Sequence, residues 1–179
     1  MNRYGFRILV MVLMVFWCFP LLAQDPDDLQ TNPSCQYCGK DRRKFSHSRM
    51  VVHYNDGTST GTCSLRCTAV DLAVQIDKSP KTIQVGDYLS KSLIDAEKAF
   101  WIIQGSKMGV MTNRAKWAFE KKEEAEQFMA ANGGDLFTFK QAIKAAYEDL
   151  YQDTSTSRGV RVLRKKGMTH DNLKRDYFF

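Results

Sequence analysis

Four cysteines, Cys35, Cys38, Cys63 and Cys67, stand in the chain as C-x2-C, an intervening stretch of twenty-four residues, then C-x3-C. That stretch contains an apolar strand candidate, Met50 to Tyr54, a turn at Asn55, Asp56 and Gly57, and a threonine-rich return strand ending at Cys63. A hairpin of this kind reverses the chain and brings the second cysteine pair back beside the first. Ser64 can cap a helix, and Leu65, Ala69, Leu72, Ala73 and Ile76 recur at helical spacing behind it. Cys63 therefore falls at a strand-to-helix junction, with Cys67 one turn further on the same face. The spacing asks for a knuckle, a hairpin and a helix whose sulfurs converge.

Converging sulfurs support three kinds of chemistry. Thiolates select soft or borderline metals, Cu(I), Zn(II) or an iron-sulfur centre, over oxygen-seeking cations. Four thiolates around Zn(II) carry a net charge of about −2, and Lys40, Arg42, Arg43 and Arg66 lie close in sequence to offset it. The free amides that open the helix also favour thiolate. Two structural disulfides are the second option in an oxidising compartment. Dithiol exchange is the third, although it needs only one of the two pairs. His47 and His53 flank the first hairpin strand and His170 lies near the C-terminus; a lone histidine at a strand end reads first as a surface or hydrogen-bonding residue. No nucleophile, oriented base and oxyanion site can be assembled from the chain, so an enzyme is not expected.

The first residues carry two arginines, an apolar run from Ile8 to Phe19, Pro20 and a small residue at Ala23. Residues 1–23 therefore read as a signal peptide, placing the protein in the periplasm or otherwise outside the cytoplasm. The alternative is an uncleaved N-terminal membrane anchor, for which Ile8 to Ala23 is short against a bilayer core of roughly 30 Å. A fifth cysteine, Cys18, lies in this segment without the small residues expected before a lipid-modified cysteine. The formal net charge of +6 includes Arg3 and Arg7, leaving +4 on residues 24–179. Basic and acidic residues are interleaved, which gives no reason to expect a nucleic-acid partner. Only Arg158 to Gly167 is densely basic, suited to a solvated tail or to contact with a membrane surface or partner.

Residues 24–34, acidic and punctuated by proline, read as a flexible leader, with folding beginning near Cys35. After the first helix, Thr82 to Tyr88 reads as a strand, followed by a linking stretch with Leu89, Leu93 and Ile94. Lys98 to Gly105 is a dense strand candidate, rich in aromatic and β-branched residues. A glycine-containing loop leads to a return strand at Lys116 to Phe119, then a charged amphipathic helix stopped by Asn132 and Gly133. A last helix is expected over 137–152, then a linker-like T-S-T-S-R-G and a basic tail, 154–179. The expected fold is α+β: a metal-binding domain over 35–153 made of two small strand-strand-helix lobes, about 35–80 and 81–134, followed by that C-terminal helix. A monomer with transient partners is expected.

The loop G-S-K-M-G-V-M-T carries Met108 and Met111. Thioether sulfur suits Cu(I), and methionine is also adaptable core filler. With the cysteines, this loop completes a resemblance to the NosL family, exported copper-binding accessory proteins of nitrous oxide reductase maturation. Three segments carry it: C-Q-Y-C-G from Cys35; the D-G hairpin leading to C-S-L-R-C-T-A from Cys63; and W-I-I-Q-G-S-K-M-G-V-M with the K-W-A-F strand and helix that follow. The resemblance spans Pro33 to Gly134. The family's C-x-x-C-G-M element falls on Cys35 to Lys40, so Lys40 stands where the family carries methionine, and its methionine-glycine loop falls on Met108 and Gly109. The C-x3-C element also resembles the TRASH metal-binding module, which suits zinc or copper.

The resemblance implies a Cu(I) metallochaperone that delivers copper to a partner metalloprotein or membrane assembly complex. Cys35 and Cys38 are the leading ligands, Cys63 and Cys67 complete or neighbour the site, and Met108 offers a weaker sulfur during transfer. Two other accounts stand beside it. One is an interaction module held by structural Zn(II) or disulfides, using the basic tail for its contacts; the other is a thiol-disulfide redox protein.

Overall fold

The structure, a computed structural model, describes residues 26–165. The expected signal segment and the final fourteen residues of the tail lie outside the described residues.

A short helix α1 (Asp27–Thr31) precedes the hairpin strands β1 (Met50–Tyr54) and β2 (Ser59–Thr62) and the cysteine helix α2 (Leu65–Val74). Strands β3 (Pro80–Gly86), β4 (Leu93–Asp95), β5 (Phe100–Ile103) and β6 (Lys116–Phe119) follow. Helix α3 (Lys122–Asn132), strand β7 (Asp135–Phe137) and the long helix α4 (Phe139–Lys165) are the last elements of the described residues. The mixture of helices and antiparallel sheets is the α+β class expected. Among the described residues all strand pairings are antiparallel, in sheets of strand order β2-β1-β3-β4 and β6-β5-β7.

The border between lobes differs from the expected one. Strand β3, expected to open the second lobe, pairs with β1 in the register Met50↔Val85 and Val52↔Ile83. These four side chains point to one side and complete a single apolar face, which is why β3 joins the hairpin. Strand β4 then forms within the stretch read as a link. The lobes also share a core: Met50 and Val52 from one sheet, Trp101 and Ile103 from the other, and Ala142 and Ala146 of α4 belong to one buried cluster. A second cluster surrounds Cys35, Cys63 and Cys67 with Ile102, Trp117 and Phe119.

The flexible leader is a correction for its described part. Residues Asp27 to Thr31 are helical, and Leu29 is 3% exposed. Asp28 accepts from Arg42 Nη2 at 2.9 Å and from Arg49 Nε at 2.8 Å. Both guanidinium groups are buried, and Arg42 also donates to the carbonyls of Asn32, Met50 and Thr62. An acid in a polar stretch thus becomes the counter-charge of two buried cations. Gly61 leaves room for this arrangement, since a Cβ there would stand 2.8 Å from the Arg42 guanidinium carbon.

Helix α4 is the second correction, because the T-S-T-S-R-G linker is helical through to Lys165. Serine and threonine favour helix only weakly, and here tertiary contacts outweigh them. Arg66 donates to Thr154 Oγ1 at 2.7 Å, and Asp149 accepts from Arg114 Nε at 2.9 Å and Lys116 Nζ at 2.7 Å. Among the described residues no helix is long and apolar enough to cross a membrane.

Candidate metal centre

The knuckle begins at an isolated bridge between Ser34 and Asp41. Inside it, the Cys35 amide donates to the Lys40 carbonyl at 2.8 Å and the Gly39 amide returns to the Cys35 carbonyl at 2.9 Å. Gly39 holds φ at 72°, a left-handed turn that glycine makes without a Cβ penalty. The Gln36 amide donates to the Gly61 carbonyl, laying the knuckle along β2. Cys63 leaves the end of that strand, and Ser48 Oγ donates to its carbonyl at 2.8 Å. Thr62 and Thr68 join their hydroxyls at 2.7 Å, fixing the turn from strand into α2, which carries Cys67.

The four Sγ atoms lie within 4.8 Å of one another. Cys38 to Cys63 is 3.4 Å and Cys63 to Cys67 is 3.9 Å; all four are free thiols. A metal-sulfur bond of about 2.3 Å in tetrahedral geometry sets sulfurs about 3.8 Å apart, so a single soft ion fits among them. Cys35, Cys63 and Cys67 are buried at 3%, 0% and 0% exposure, while Cys38 is partly open.

The electrostatics are those of a shared charge. Hydrogen bonds from Cys38, and then from Cys63 and Cys67, push the Cys35 thiol well below the ordinary range. Cys63 and Cys67 are pushed up, first by their bonding with Cys35 and then with Cys38, and by burial. Cys38 is raised by Cys35 but lowered more by Cys63 and Cys67, and settles at about 7. The shifts oppose one another because the four sulfurs share hydrogen bonds, and a metal bound among them would displace their thiol protons. Of the cations expected to offset the site, Arg42 feels the Cys35 charge. Arg66 turns to Thr154, and Lys40 places its ammonium 4.9 Å over the Phe45 ring.

Of the other sequence candidates, His170 lies outside the described residues. Met108 is 64% exposed, whereas Met111 of the same loop packs against the cysteine-containing cluster. His53 is exposed on β1. His47 sits among Phe45, Tyr88 and Trp117, with the Trp117 ring 5.4 Å away, and burial followed by Lys91 lowers its pKa. Two contributors escaped the sequence reading: Tyr37, whose hydroxyl donates to Asp71 at 2.5 Å, and Asp71 itself, wholly buried on α2. A tyrosine between two cysteines was visible, but nothing marked its partner thirty-four residues later.

A family model described as NosL matches residues 26–147. Among solved structures, the crystal structure of the copper chaperone NosL from Shewanella denitrificans is 24% identical to this chain. The match covers 68% of this chain and 96% of that one at a TM-score of 0.50, a likeness of fold. No curated protein matches the chain.

Proposed function

The chain belongs to the NosL family, and from that premise we propose that it is an exported copper-binding metallochaperone. Cu(I) is its cargo, held by Cys35, Cys38, Cys63 and Cys67 and passed to a partner metalloprotein or membrane assembly complex, with nitrous oxide reductase maturation the leading context. The observation that carries the reading is the convergence of four sulfurs within 4.8 Å, one of them partly open. Soft donors suit a soft ion, and the half-open Cys38 gives an incoming ligand somewhere to attack.

Transfer on this reading is ligand exchange. A thiolate or thioether of the acceptor bonds to the ion as a chaperone sulfur leaves, with no change in the copper's oxidation state. Met108, exposed at its loop, is suited to be a transient ligand as the partner approaches. The basic C-terminal segment supplies contact with an acidic partner or anionic membrane surface.

A second reading, a resident structural Zn(II), is favoured by the burial of three of the four sulfurs and by their approach to within 4.8 Å of one another. Anaerobic purification with metal and thiol counting separates the two. One Cu(I) per chain, lost on Cys38→Ser and removable from the folded protein by a chelator, supports trafficking. Zinc released only on unfolding favours the structural site, and two disulfides in functional protein would sink both.

A further inference from the structure

The carboxylate of Asp71 is shared between two phenols. Tyr54 donates to Oδ2 at 2.6 Å and Tyr37 to Oδ1 at 2.5 Å. Tyr54 is a core residue, 2% exposed at the end of β1, and its bond fastens the hairpin to α2. Tyr37 is different. It lies between Cys35 and Cys38, is half-buried, and packs its ring against the cysteine-containing cluster. Asp71 follows Cys67 by four residues, one turn along the same helix face. The Tyr37–Asp71 bond therefore ties the loop bearing two sulfurs to the helix bearing a third. The backbone ties of the loop lie elsewhere, at Cys35, Gln36, Gly39 and Lys40.

We propose that Tyr37 is a positioning residue whose hydrogen bond to Asp71 latches the knuckle over the metal and sets how fast the ion is released through Cys38. The inference rests on the copper-cargo reading above. With the latch closed, the loop keeps the Cys38 sulfur 3.4 Å from Cys63, within the cage. With it open, the middle of the loop can swing outward. An incoming soft donor then forms its bond to Cu(I) as the Cu(I)–Sγ bond of Cys38 breaks. Cys38 departs as a thiolate that takes a proton from water, and copper stays Cu(I). A hydrogen bond to a buried carboxylate is of the stronger, charge-assisted kind, so its loss is worth about tenfold or more in an opening rate.

The test uses the full chain loaded anaerobically with one equivalent of Cu(I) and challenged with excess bathocuproine disulfonate, whose copper complex absorbs visible light. Tyr37→Phe keeps the ring and removes the hydroxyl. It is expected to bind one equivalent still and to release it about tenfold faster or more. Tyr54→Phe removes the other bond to the same carboxylate without touching the knuckle. It is expected to melt lower than the parent while releasing copper within about twofold of its rate. Release from Tyr37→Phe at the parent rate overturns the latch, as does equal acceleration by Tyr54→Phe, which would trace release to general stability. A parent chain that takes up no Cu(I) overturns the copper reading and the latch with it.

Discussion

Asp28 Oδ2 lies 2.9 Å from Arg42 Nη2, and the Arg42 side chain is wholly buried. The same carboxylate serves Arg49, itself 2% exposed. Asp28→Asn would strand two guanidinium groups without their counter-charge inside the protein. Breaking a buried pair in this way costs about 3–5 kcal/mol. A fall of that size in the urea unfolding free energy is the expected result; a change under about 1 kcal/mol would show the contact to be incidental.

Metal loading should stabilise the fold increasingly as free metal rises above its dissociation constant. The four cysteines come from a knuckle, a strand end and a helix, so the unfolded chain cannot present them together. At free Cu(I) about a thousand times the dissociation constant, loading is expected to add about 4 kcal/mol to the unfolding free energy. Cys67→Ser and Cys38→Ser should each abolish that gain. Calorimetry on loaded and metal-free samples reads both.

His47 supplies a pH dependence. Burial, with Lys91 adding to it, lowers its pKa below the ordinary 6.5. The unfolded chain takes up a proton near pH 6.5 while folded His47 remains neutral, so stability from this group is fully present above that pH. It is lost as pH falls from there through the lower folded pKa. His47→Phe should therefore lose less stability than the parent between pH 7 and pH 5, compared by urea titration at each pH.

Asp149 holds Arg114 and Lys116, and the Lys116 side chain is 2% exposed. Asp149→Asn leaves that lysine buried without its counter-charge. Because the carboxylate is itself 19% exposed, water offsets part of the loss, and a cost of about 2–3 kcal/mol is expected. Limited proteolysis should then cut faster within 105–115, the loop whose base these residues brace.

The parts legible in the sequence were those written in local pattern. Met50 to Tyr54, the D-G turn and Lys116 to Phe119 each announce themselves by alternation, turn chemistry or density of apolar residues, and the structure has all three. Convergence of the four cysteines was legible too, since spacing plus a hairpin leaves the second pair little choice of place. What escaped was decided by distant partners. Asp28 looks like any acid in a polar leader until Arg42 and Arg49 are folded around it. The helix through Thr154 runs against local propensity because Arg66 and Asp149 hold it in place. Nothing near Asp71 shows that it will receive Tyr37 and Tyr54.

Helix α4 carries Asp149, Asp153 and Thr154 beyond residue 147, where the match to the family stops. A cut made at that border would remove the acid that neutralises Lys116 and unhook Arg66, one residue before Cys67, from Thr154. Shared ancestry therefore draws the edge of this protein about two helical turns short of where its mechanical support ends. For anyone trimming the chain, the shortest piece that keeps these braces ends after Thr154.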